Sequence, residues 1–181
     1  MPVKELQATL EVLATTKADA PAEARWREAV TAVAGYAARQ FKVTDREVAI
    51  LLRSDDGLML KFVYPMALAE GPNTFPLTAH SVAGEVVKGG RGIVDNAFAQ
   101  TKHMGFYERV RLEGPKTGAI QKLMAAPIRT TGMAMGAIEV SRKGPDGAAA
   151  GPDFTQEDLA SLTEIGTAAA PYLQKMRPRL F

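Results

Sequence analysis

Two pairs of apolar segments, each joined by a turn too short for a crossover, constrain this chain more than anything else in it. Glu47-Val-Ala-Ile-Leu-Leu-Arg53 is rich in β-formers and apolar at both alternating sets of positions, the pattern of a strand whose sheet is covered on both faces. Asp55-Asp-Gly57 is a turn signal, and Leu58-Met-Leu-Lys-Phe-Val-Tyr64 returns as the partner strand. Ile120 to Ile128 and Ala134 to Ser141, joined by Arg129-Thr-Thr-Gly132, form a second hairpin. Connections this short permit only antiparallel pairing. The chain therefore reads as α+β.

Helical periodicity flanks the hairpins. Val3, Leu6, Leu10 and Leu13 recur at three- and four-residue steps and form one stripe of an amphipathic helix. That stripe needs a cover, either the chain's own domain or another subunit. Asp19-Ala-Pro21 breaks the pattern, and Pro21 suits the start of a second helix carrying Trp26, Val30, Val33, Ala34 and Ala37. Pro65 to Pro76 reads as loop. Thr78 then caps a helix with Val82, Ala83, Val86 and Val87, closed by Gly89-Gly90, and Gly92-Ile-Val-Asp95 is a short strand.

Asn96 to Gly118 is a connection of mixed polarity whose aromatic side is expected to face inward. The last helix has the clearest local signature. Thr155 is the cap, Asp158 follows three residues later, and Phe154 and Leu159 can staple the first turn. Its core stripe is Leu159, Leu162, Ile165, Ala169 and Leu173, with a kink expected at Pro171.

With 181 residues, 46% of them hydrophobic, the chain can bury one substantial core. A net charge of +2 comes from acidic and basic residues interleaved along the whole length, so no basic block points to nucleic acid. No apolar run approaches a membrane span, and the start, Met1-Pro-Val-Lys-Glu, lacks the form of a secretory signal. These features predict a soluble, cytoplasmic protein. The absence of cysteine removes disulfides, thiolate nucleophiles and thioether attachment.

Leu123-Met-Ala-Ala-Pro-Ile128, Gly136-Ala-Ile-Glu-Val-Ser-Arg-Lys-Gly144 and Phe154-Thr-Gln-Glu-Asp158 resemble the closing half of a GAF domain. Ser81-Val-Ala-Gly-Glu-Val-Val87, Gly90 and Ile93-Val-Asp95 look like that family's helix-to-strand segment. The resemblance runs from about Pro21 to about Met176. It divides the chain into an N-terminal helical extension (1–20), a GAF-like domain (21–176) and a frayed tail (177–181).

It implies a central antiparallel sheet with the N- and C-terminal helices on one face and the long connection folded over a pocket on the other. Cyclic-nucleotide-binding members carry an Asn-Lys before the Phe and an Asp-Glu after it. Here Ser141-Arg142 or Arg142-Lys143 and Asp158-Leu159 stand at those positions, so the Asn and the Glu are missing. Bilin attachment and the family's free methionine sulfoxide reductases both require cysteine.

His80 stands beside Ser81 near the start of the third helix, facing either a ligand or solvent. His103 lies in the connection, where a heme ligand, an acid-base group and a structural imidazole are all compatible with the sequence. Tyr64, Phe106, Tyr107 and Met124 line an apolar cavity or belong to the core. Arg109, Gln121 and Lys122 are candidate contacts for an anionic or amide-bearing ligand, and Asp95 ends the strand before the connection.

No cofactor is named by the sequence, and no metal or catalytic constellation stands out. The expected function is that of a non-catalytic, ligand-responsive regulatory domain. It would act through a homodimer formed by the terminal helices or through a protein partner. A structural dimerisation or docking module without a ligand is the alternative.

Overall fold

The structure, a computed structural model, describes residues 3–15, 20–71, 73–100 and 118–178. The elements run α1 (Lys4–Thr15), α2 (Ala22–Phe41), β1 (Val48–Arg53), β2 (Met59–Tyr64), α3 (Met66–Ala69), β3 (Thr74–Pro76), α4 (Val82–Gly89), β4 (Ile93–Asp95), β5 (Ala119–Ile128), β6 (Gly136–Gly144) and α5 (Gln156–Met176). Both hairpins form as expected. Gly57 turns the first with φ +74°, a conformation costly for any residue with a side chain.

The strands make one antiparallel sheet in the order β3-β2-β1-β6-β5-β4. One face carries the larger core. Val48, Ile50 and Leu52 of β1, Met124, Ala126 and Ile128 of β5, and Ile138 and Val140 of β6 pack there with the buried sides of α1, α2 and α5. The other face packs Ala49, Leu51, Leu60, Phe62, Ala125 and Ala137 against Leu68, Phe75 and the α4 residues Ala83, Val86 and Val87. α5 approaches β5 closely enough that a Cβ on Gly166 would lie 2.5 Å from the Pro127 carbonyl oxygen.

The stripe on α1 is covered within the chain. Leu6, Leu10 and Leu13 are buried in the same core as α2 and α5, so this stripe offers no free face for another subunit. α1 thus belongs to the core that the extension was expected to precede.

Two local expectations change. Pro65 to Pro76 contains α3 and β3, because Thr74–Pro76 pairs with Met59–Lys61. Ser81, not Thr78, caps α4: its hydroxyl accepts the Gly84 N–H at 3.1 Å, while residues 77–80 are spent on turns.

The start of α5 matches its sequence signature. Thr155 Oγ1 accepts the Asp158 N–H at 3.1 Å, and Asp158 Oδ2 accepts the Thr155 N–H at 2.9 Å. Phe154 is buried, with Leu159 packed on the same core. The helix continues through Pro171, which lies on its exposed side, and Arg177 beyond its end pairs with Asp55 in the first hairpin turn. No described helix is long and apolar enough to cross a membrane.

Two substitutions test this packing. Phe154→Ala should lower unfolding free energy by about 3–5 kcal/mol in urea denaturation, the usual cost of emptying a buried Phe site. A loss within error would remove its role at the start of α5. Leu10→Ala should cost about 2–5 kcal/mol and leave the sedimentation mass unchanged. A mass that falls on mutation would return the stripe to a subunit interface.

Candidate functional site

Strict alternation along β6 sends Ile138 and Val140 to the helices and Ala137, Glu139 and Ser141 to the opposite face. Glu139 is the exception in chemistry. It is only 4% exposed, in the middle of the sheet, and pairs in register with Ala49 of β1 on one side and Ala125 of β5 on the other. Both neighbours end in a methyl group. The carboxylate accepts the N–H of Ala83 in the first turn of α4, where the helix dipole also favours negative charge. Burial outweighs that hydrogen bond and pushes the carboxyl up from 4.5 to about 7.

The residues expected at a site scatter around this carboxyl. Asp95 shares its face: β4 alternates so that Ile93 packs with Ala125 and Asp95 registers with Leu123 on β5. One of its carboxylate oxygens accepts the Ala97 N–H at 2.9 Å, turning the chain after β4. Ser81 uses its hydroxyl to cap α4, and His80 is exposed beside it. Gln121 sits at a bulge in β5 and donates to the Gly144 carbonyl at 3.0 Å. His103, Phe106, Tyr107 and Arg109 lie outside the described residues.

Tyr64 and Met124 do not belong with them. Both side chains are buried in the helix-side core, on the far side of the sheet from Glu139. For Tyr64 the cause is a bulge. Ile50 registers with Tyr64 but Leu51 with Phe62, so Val63 and Tyr64 both turn to the helices while Phe62 stays opposite.

The basic residues near the end of the second hairpin are also structural. Lys122 is buried, donates to the Gly151 carbonyl at 2.6 Å and pairs with Asp153 at 2.7 Å. Arg142 donates to the Phe41 carbonyl at 3.2 Å, and its guanidinium lies 4.7 Å from the centre of the Phe154 ring. Among the described residues, no three His, Asp or Glu side chains gather as a metal site requires. A separate cleft of about 590 Å³ opens between α2, β2 and α3 over Trp26 and Met66. Arg27 at its mouth is held by Glu70 at 2.8 Å and Glu23 at 3.7 Å.

A sequence model of a family described as GAF domain matches residues 23–174, most of the chain. The chain belongs to the GAF domain family. Its fold is shared with several solved GAF structures at low identity. Residues 122 to 287 of a methyl-accepting chemotaxis protein superpose with a TM-score of 0.66 at 14% identity, covering 94% of this chain and 96% of that one. The GAF domain of A. aeolicus nlh2 in an inactive state gives 0.57 at 18% identity, with 96% and 98% covered. A type II free methionine-R-sulfoxide reductase from Thermoplasma acidophilum gives 0.56 at 16% identity, with 86% and 97% covered. A comparison with curated protein sequences gives no match.

In this GAF domain Glu139 was not among the residues expected from the sequence. The signal was present: within an apolar strand, Ala137, Glu139 and Ser141 alternate as a small and polar set against Ile138 and Val140. A carboxyl whose folded pKa is raised favours the folded state when protonated. Its contribution is complete below about pH 4.5 and is lost as pH rises through about 7. Glu139→Gln should therefore gain about 3 kcal/mol relative to the parent between pH 4 and pH 8, read by urea denaturation at each pH. Parallel stability curves would show that Glu139 titrates as an ordinary surface carboxylate does.

Proposed function

We propose that this GAF domain is a non-catalytic, ligand-responsive regulatory domain. It binds a small molecule on the sheet face around Glu139 and acts through self-association or a protein partner. The observation that carries this reading is a buried carboxyl set among methyl side chains, on the face opposite the three long helices. A face built only for packing gains nothing from a carboxylate at its centre, because burying a charge without a counter-charge costs free energy. A ligand site uses such a group to fix orientation.

Family membership supports the regulatory class, since GAF domains are generally sensing and regulatory domains. The similar structures include a domain of a methyl-accepting chemotaxis protein and a GAF domain solved in an inactive state. One similar structure is a reductase, but this chain has no cysteine and so no thiol chemistry of its own. Asp95 is the remaining polar candidate on the Glu139 face. His103, Phe106, Tyr107 and Arg109 stay candidates by their sequence positions. The burial of the α1 stripe moves any self-association away from that stripe, and the competing reading is a ligand-free docking module.

Native mass spectrometry of the purified protein, with a thermal-shift screen of cyclic nucleotides, amino acids, oxo-acids and heme, tests the reading. The expected result is a co-purified small molecule, or one class that raises Tm. At a hundredfold excess over Kd the stabilisation should be about 2.7 kcal/mol, a rise of roughly 5–10 °C for a domain of this size. A protein that carries nothing and responds to none of these classes would be a docking module instead.

A further inference from the structure

We propose that the ligand of this domain presents a positively charged nitrogen group, an ammonium, amidinium or guanidinium, to the carboxylate of Glu139. This deepens the regulatory reading above and rests on it.

An ionised carboxylate has two oxygens and about four acceptor positions. Glu139 uses one of them on the Ala83 N–H. The side chains flanking it across the strands are Ala49 and Ala125, and Ala137 precedes it on the same face. None can donate a hydrogen bond. The small side chains keep the carboxylate free of bulk from its own sheet, and the first turn of α4 lies over it at Ala83.

The basic side chains along the central strands are engaged elsewhere, beginning with Lys143 of β6, which donates to the Arg46 carbonyl at 2.9 Å. Lys122 is held by Asp153 and the Gly151 carbonyl. Arg142 lies on the helix side, against Phe154 and the Phe41 carbonyl. Arg53, at the other end of β1, reaches Met133 and the Gly57 carbonyl. Among the described residues, then, Glu139 has no cationic partner. A buried carboxylate in that condition is costly, and a cation brought in with two N–H donors restores the missing partner in a charge-assisted, bidentate pair.

A neutral donor would satisfy the oxygens without balancing the charge, and an anion would be repelled. Selection by Glu139 is thus against acids as well as for bases. The same buried carboxylate that gives affinity for a cation supplies discrimination.

Methylammonium, guanidinium at low millimolar concentration and benzamidine are the probes, with benzamide and benzoate as neutral and anionic counterparts. Binding to the full chain is followed by amide NMR and by Tm. At least one cation should bind saturably, shifting the amide signals of Ala83 and of β6, while benzoate does not. Glu139→Gln keeps an oxygen for the Ala83 N–H and should bind that cation at least tenfold more weakly, with benzamide no worse than in the parent. Glu139→Asp, which withdraws the carboxylate by one methylene, should give an intermediate loss, and circular dichroism checks that each variant is folded.

Cation binding that is unchanged in both variants overturns the proposal. So does failure of all three cations. If benzoate or a co-purified acid binds instead, the ligand-responsive reading survives and only the chemistry assigned to Glu139 falls. If nothing binds and nothing co-purifies, both fall.

Discussion

The register of β6 is the constraint on which the rest depends. β6 is paired on both sides, with β1 and β5, so its alternation decides what each face of the sheet receives. In the observed register Ile138 and Val140 meet the helices while Glu139 lies between Ala49 and Ala125. A slip of one residue would drive the carboxylate into the core under α2 and α5 and bring two branched apolar side chains to the opposite face. The register is thus fixed by hydrophobic burial on one face, and the polar character of the other follows from it.

The helix layer makes that burial effective. α5 lies close on β5 because Gly166 has no side chain to hold it off, and α1 closes the layer with Leu6, Leu10 and Leu13. The residues that resemble a nucleotide-binding pattern serve this packing. Phe154 fixes the start of α5, Asp158 caps it, and Arg142 covers the Phe154 ring. In this chain the junction between β6 and α5 is built from groups that hold each other.

Most of the fold was legible in the sequence because its signals are local. The two hairpins show in alternating apolar runs with turn residues between them, and the Thr155–Asp158 capping box is a pattern of four residues. The cover for the α1 stripe was not, since periodicity shows that a face is apolar but not what lies against it. The site was read less well, for reasons of register. Plain alternation puts Tyr64 on the same side as Leu60 and Phe62, and the bulge at Val63 reverses it. Met124 is an apolar residue in an apolar strand, and only the pairing with β4 and β6 assigns its face. Glu139 could have been found by asking why a strand buried on both sides holds one acid. His103, Phe106, Tyr107 and Arg109 fall outside the described residues.

Asn96 follows Asp95 directly at the end of β4, and its side-chain amide grips the backbone of Phe154 from both sides. Nδ2 donates to the Phe154 carbonyl at 3.0 Å, and Oδ1 accepts the Phe154 N–H at 2.9 Å. One edge of the sheet is in this way pinned to the residue that leads into α5. The two bonds fix the end of β4 against the residue that precedes the Thr155 cap. From this pin α5 runs along the face of the sheet opposite Glu139 to Arg177, whose pairing with Asp55 ties its far end to the first hairpin.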